Sequence, residues 1–554
     1  MGNPTMSKKT DFSLTPTADA KKIFQAIYKK QNKKDARGDE VAKIKVSELV
    51  SKMAFYYEKV RNTVDYKEEN LLRKNAIERI LKRQIIIEGA MSLKDVNSFQ
   101  ISKHLLTELI RAGYLPNNKI PETKIGEIAT VIERYLKLKA YSLTIHKNLK
   151  MQQRTDLSYW IISMLASDIE EKIGRSEVDK TVISCMYNAI EPYIKLPDNS
   201  QFEKDREIQI YIAIHRGMLK FDREMIGFIL FKYYNANWDH ASDNQIEDLA
   251  KNIFALQNAI EKQIEHPLVG QLKRIIDRYT VFFTILLDVV EDDCVGIYDC
   301  FSRDPKAFPR HIRRVCETRY KSNRRKLWRA GLRSLLYILI TKTFLVILLE
   351  IPVIKWFGDE VNLFSLIINI SFPALLLFFV ILFTRLPSQE NSNKIIEGIE
   401  EVVFEEHQRK ESFKLKNPTT QSSTMNSIFG LVYFVTFFLS FGAVVYALQR
   451  INFNFVSIVI FLFFLALISF FGIRIRRGTR ELIVLPPKEN IFSFVLDFFY
   501  VPIVAVGKWL SEKFDKVNVF VFILDFIIEA PFKIFIEITE EWTKYVKERK
   551  DKIV

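Results

Sequence analysis

From residue 20 to about residue 88, apolar positions recur three and four apart: Ile23 and Ile27, then Leu49, Met53, Tyr56, Tyr57 and Val60. That spacing lays one apolar stripe along a helix. Gly38 and Asp65 interrupt it. The same period predicts helices over Ile125–Leu149, Leu157–Ile173, Val178–Ile190, Glu207–Tyr234, Asn244–Glu265 and Leu268–Val290. Two loops punctuate the series, Gly113–Thr123 with its prolines and Asn pair, and Lys195–Asp205. Strand alternation is nowhere sustained, and no internal repeat is visible. The run Tyr279–Val290 is strongly apolar but only a dozen residues long. A spanning helix needs about 20, so this run is read as a buried core helix.

Beyond about Lys326 the pattern changes from striped to uniformly apolar. Four segments are long enough to cross a bilayer: Leu332–Ile354, Asn362–Phe383, Asn426–Leu448 and Phe453–Ile473. The last three contain no Asp, Glu, Lys or Arg. The predicted fold is therefore all-α: a cytosolic helical module, then a four-helix transmembrane domain, then C-terminal amphipathic or re-entrant helices. In residue terms this is a disordered 1–19, a module in two parts (20–197 and 198–325), a transmembrane hairpin 326–385, a loop helix 386–425, a second hairpin 426–475 and a C-terminal region 476–554. The loop helix carries its own apolar stripe, Ile395, Ile396, Ile399, Val402 and Val403, which predicts docking along the membrane or on the module. In the C-terminal region, Asn490–Leu510 and Val517–Ile538 are apolar but interrupted by Asp497 and Pro502, and by Asp525, Glu529 and Pro531. Charge and proline are both costly at mid-bilayer, so interfacial or re-entrant helices fit better than two more spans.

Charge sets the expected orientation. The chain of 554 residues has a net charge of +15, and much of the excess lies beside the apolar runs. Arg313, Arg314, Arg319, Arg324, Arg325, Lys326 and Arg329 precede the first span, and Arg474, Arg476 and Arg477 follow the fourth. The turns "KWFGDEV" and "QRINFN" at the other end are nearly free of basic residues. By the positive-inside rule the N-terminus, the loop helix and the C-terminus face the cytosol, and the expected location is the plasma (inner) membrane. These basic residues are candidate contacts for anionic lipid. Tyr320 and Trp328 interleave with them as stacking side chains would, but the adjoining span makes lipid the better partner than nucleic acid. The N-terminus lacks an apolar h-region, so no cleaved signal peptide is expected.

Candidate chemistry is sparse. Lys342 and Glu350 ride inside the first span, and ionisable residues there are functional by default, in ion or proton paths. The competing reading has Lys342 snorkelling to the basic end and Glu350 meeting water beside Pro352. The acidic run around Asp288, Glu291, Asp292, Asp293 and Asp299 lacks the spacing of a calcium loop and is read as a solvated helix end facing the arginines. Cys185, Cys294, Cys300 and Cys316 form no ligand pair. No motif for a nucleotide, a catalytic triad or zinc is present, so no cofactor, metal or catalytic residue is assigned. Ala443 and Ala447 form a weak small-residue pair and leave an oligomer open. The leading expectation is a non-catalytic membrane scaffold or interaction protein with cytosolic protein partners. The alternatives are a transporter or channel using the intramembrane charges, and a membrane enzyme acting on lipid at the cytosolic face.

Overall fold

The computed structural model describes residues 14–32, 42–65, 71–88, 97–174, 176–304, 307–358, 360–384, 387–418, 423–485, 491–516 and 529–551. Residues 1–13, Gly38 and Asp525 lie outside the described residues, as does the first half of the apolar run Val517–Ile538. The chain is all-α: among the described residues helices follow one another, and the one sheet pairs Ile194–Lys195 in parallel with Phe413–Lys414. A helical N-terminal region precedes four helices long and apolar enough to cross a membrane: Ala307–Trp356, Leu363–Leu382, Met425–Arg450 and Phe455–Arg476. Two compact units emerge. One comprises Ala18–Ile276, Glu411–Lys416 and Val519–Val554; the other comprises Met1–Thr17, Asp277–Lys410 and Asn417–Asn518.

In the first unit, many of the apolar stripes meet in one large core on both sides of Asp198. Leu105, Leu109, Ile128, Ile132, Ile161, Leu165, Phe228 and Phe231 all belong to it. Helix ends follow local chemistry. Ser176 and Asp179 form a capping box that starts Glu177–Ile190. Gly113, at φ +79, makes the turn after Ser98–Arg111, and a Cβ there would meet the Phe55 ring. The predicted helix Glu207–Tyr234 is two helices, Arg206–Met218 and Arg223–Tyr234. Lys220 takes a left-handed backbone between them, and the Asp222 side chain caps the second by accepting from Met225 N at 2.9 Å. The predicted Asn244–Glu265 likewise divides, into Asp243–Lys251 and Ile253–Ile264.

Charge is buried in this unit with partners around it. Lys74 is 1% exposed, and its ammonium lies 2.9 Å from Asp222, 3.4 Å from Glu78 and 3.5 Å from Glu224. Asp168 is fully buried and accepts from the Tyr135 hydroxyl at 3.3 Å. Burial pushes its carboxyl up to about 6; Asp239 and Glu171 add to the rise, and Lys172 and Lys232 oppose it.

In the second unit, helix Val269–Asp292 contributes its C-terminal half, where Tyr279, Phe283, Leu286 and Val290 are buried. The basic block and the first span form one helix, Ala307–Trp356. At the basic end, helix Gln389–Val403 packs its apolar stripe on these elements. Gly398 is what allows this, because a Cβ there would sit 2.2 Å from the Phe282 ring. Phe404 meets Phe308 edge-on, and the backbone of Thr17 donates to Val403 O at 2.8 Å. Deeper in, Leu327, Leu377, Ile381 and Ile468 knit the first, second and fourth apolar helices together. The fourth is the most central, with 44% of its apolar window buried against 11% for the third. Helix Ile491–Lys516 lies antiparallel along the fourth: the Tyr500 hydroxyl donates to Ser469 O at 3.0 Å, and Gly507 abuts the Ala466 backbone.

Candidate functional site

The apolar helices close around a small set of polar side chains. Lys342 and Glu350 are 0% and 1% exposed, and Asn369, Ser457 and Ser365 are buried with them. The first helix brings its two ionisable residues round by a break in its own period. Val346–Glu350 is a π turn, and Ile351 N bonds back to Val346 O, five residues earlier. Residues eight apart on an unbroken α-helix diverge by about 80°, whereas one extra residue taken up in a π turn leaves about 20°. Pro352 follows directly and withholds an N–H from the preceding turn.

Glu350 is caged by two other helices. Asn369, six residues into Leu363–Leu382, donates its Nδ2 to Glu350 Oε1 at 2.6 Å. Ser457, in the first turn of Phe455–Arg480, donates its hydroxyl to the same oxygen at 2.6 Å. Asn454 caps that helix by accepting from Ser457 N at 3.1 Å. The carboxylate therefore sits at a helix N-terminus, where the macrodipole favours negative charge. Its other oxygen, Oε2, has no hydrogen-bond partner among the described residues, and neither has Asn369 Oδ1.

Lys342 is buried in the same bundle. Its Nζ has no hydrogen-bond partner among the described residues and lies 3.8 Å from the centre of the Phe464 ring. An aromatic face attracts a desolvated ammonium but satisfies none of its three donors. Snorkelling to the basic end, and exposure of Glu350 to water, are not the geometry found: both side chains point into protein. Burying a charge without full partnering costs several kcal/mol.

The basic residues have separate fates. Arg319 makes a two-pronged pair with Asp288, at 2.5 and 2.6 Å, and Arg313 donates to Asn393 Oδ1 at 2.9 Å. Arg314, Arg324, Arg325, Lys326, Arg329 and Arg474 are exposed, Arg476 is half-buried, and the Arg477 side chain lies outside the described residues. Of the acidic run, Asp288 is the partner of Arg319, and Asp293 caps Cys294–Arg303. Asp497 lines a cavity of about 340 Å³ with Phe429, Val432, Tyr433, Thr436 and Val501.

Three residues of the sites had no sequence signal. Asn369 and Ser457 are neutral residues inside apolar runs, and only the assembled bundle places them at Glu350. Asn391 is the third. Buried at the basic end, it donates to the Tyr320 hydroxyl at 2.9 Å and to Leu482 O at 2.8 Å, and accepts from Val484 N at 2.8 Å.

No family model matches the chain, and neither a curated protein nor a solved structure matches it. The functional reading therefore rests on the geometry alone.

Proposed function

We propose that this is a multi-pass membrane protein of the transporter or channel class, which moves a small cation through its bundle by way of Glu350 and Lys342. One observation carries the reading. An ionisable carboxylate is buried among apolar helices with one oxygen fully bonded and the other bare. A protein needing only an anchor gains nothing from such a residue, because an apolar side chain of similar volume inserts and packs at lower cost. The proposal extends to orientation: the basic end faces the cytosol at the plasma (inner) membrane, and its exposed arginines rest on anionic lipid.

The platform reading has its own support. The first unit has a complete hydrophobic core independent of the Glu350 site, as a scaffold presented to protein partners would require. Flux separates the two. The purified chain is reconstituted in liposomes, and proton and sodium entry are followed under an imposed potential. Entry above that of protein-free liposomes, lost in Glu350→Gln at equal incorporation, supports the transporter class. Entry no faster than in protein-free liposomes for both cations rejects it in favour of the platform.

A further inference from the structure

We propose that the cation handled at Glu350 is a proton, and that Asn369 is placed to hold Glu350 in its protonated form. The inference rests on the reading of Glu350 as the cation-handling group and names what that group carries. Asn369 Nδ2 and Ser457 Oγ both donate to Oε1, so Oε2 and Asn369 Oδ1 are left as two bare acceptors in one bonded pair. A carboxylate oxygen and an amide oxygen cannot satisfy each other, because neither has a hydrogen to give. One proton taken from water onto Oε2 changes this. Oε2 becomes a donor, and Asn369 Oδ1 is the acceptor that lacks one. Acid and amide then exchange two hydrogen bonds in a ring, and the buried negative charge is gone.

The charged form has its own partners: the Ser457 hydroxyl and the N-terminus of Phe455–Arg480. Each protonation state therefore has support, as a group that loads and unloads a proton requires. The charged surroundings are few. Lys342 lies on the same helix, and Lys355 further along it is exposed. The second and fourth apolar helices present no Asp, Glu, Lys or Arg before Arg474. A metal ion fits less well. Hard cations such as calcium and magnesium take about six oxygens or more, and among the described residues Glu350 is the one carboxylate in the cage.

Glutamine tests this directly, because its amide copies the protonated acid: its nitrogen can donate to Asn369 Oδ1 while its oxygen accepts from Asn369 Nδ2. The full-length Glu350→Gln protein in detergent is expected to unfold at the wild-type temperature or above. Wild type is expected to show an infrared band of a protonated carboxylic acid, which Glu350→Gln lacks and Asn369→Leu displaces. A lower unfolding temperature for Glu350→Gln, with no acid band in the folded wild type, would overturn the proposal. If sodium in place of choline then stabilised wild type and not Glu350→Gln, the occupant would be a metal cation. In that case the proton is wrong and the transporter reading stands. Absence of proton and sodium flux would remove both.

Discussion

Lys74 and Lys342 are both buried lysines, and the protein treats them in opposite ways. Lys74, in the N-terminal unit, has carboxylates on Asp222, Glu78 and Glu224 within 3.5 Å. Lys342, in the apolar bundle, has an aromatic ring and, among the described residues, no hydrogen-bond acceptor. The first arrangement explains itself as structure. Asp222 caps the helix Arg223–Tyr234 and, through Lys74, ties it to Leu72–Lys82. The second arrangement costs stability and returns no bond, so its retention calls for a function. The same contrast holds among the carboxyls: Asp222 has both oxygens engaged, whereas Glu350 has one bare.

The largest effect expected from this contrast is at Lys74. Lys74→Met leaves Asp222 and Glu224 facing each other without their cation, while Glu78 keeps Lys82 at 2.7 Å. Removing one partner of a buried pair costs about 3–5 kcal/mol, and the partial exposure of Asp222 and Glu224 places this case near about 3 kcal/mol. Amide exchange across Leu72–Lys82 and Arg223–Tyr234 should accelerate accordingly. Unchanged protection would mean that Lys74 is no better served than Lys342.

Asp168 is the intermediate case, with one oxygen held by Tyr135 and the other unbonded though 3.9 Å from Lys172. Its carboxyl stands at about 6, above the ordinary value of 3.8. The folded chain thus holds this proton more tightly than the unfolded one. The stabilisation is complete below about pH 4 and is lost as pH rises through about 6, a swing of about 3 kcal/mol. Protection of the core helix Met151–Gly174 should fall across that window in wild type and stay flat in Asp168→Asn. A slope of the same size in the variant would remove Asp168 as its source.

A smaller effect is expected at Asn391, whose polar atoms are satisfied where those of Glu350 are not. Asn391→Leu strands Val484 N and Leu482 O at the basic end, while the Tyr320 hydroxyl keeps Ser392 Oγ at 3.3 Å. Leaving such groups unmet costs about 1–3 kcal/mol. Water at that end offsets part of this, so we expect about 1 kcal/mol, read as faster proteolysis of the segment around Leu482 with flux retained. Loss of flux at wild-type protease resistance would give Asn391 a role in conduction instead.

The sequence revealed architecture better than chemistry, and particular residues show why. The stripe Ile395, Ile396, Ile399 and Val403 marked the loop helix because burial demands a periodic apolar face. Uniformly apolar runs marked the four long helices because hydrocarbon demands length. The divided helices were missed because a left-handed Lys220 and a capping Asp222 look like ordinary surface residues in a row. Lys342 and Glu350 stood out as charges in an apolar run, but their surroundings did not. The π turn at Val346–Glu350 has no periodic signature of its own. Asn369 comes from the next long helix and Ser457 lies 107 residues beyond Glu350, so their meeting at Glu350 is a property of the packed bundle.

Lys342→Met tests the central claim most directly, with stability and flux read on one preparation. If Lys342 is retained for function at a cost in stability, removing its unpaired charge should leave the unfolding temperature in detergent unchanged or higher. A mid-helix charge costs about 2.5–3.5 kcal/mol on insertion scales, so the gain can reach several degrees. Cation flux should be lost. A variant that unfolds at lower temperature and conducts like wild type would contradict the account, and would make Lys342 a structural residue like Lys74.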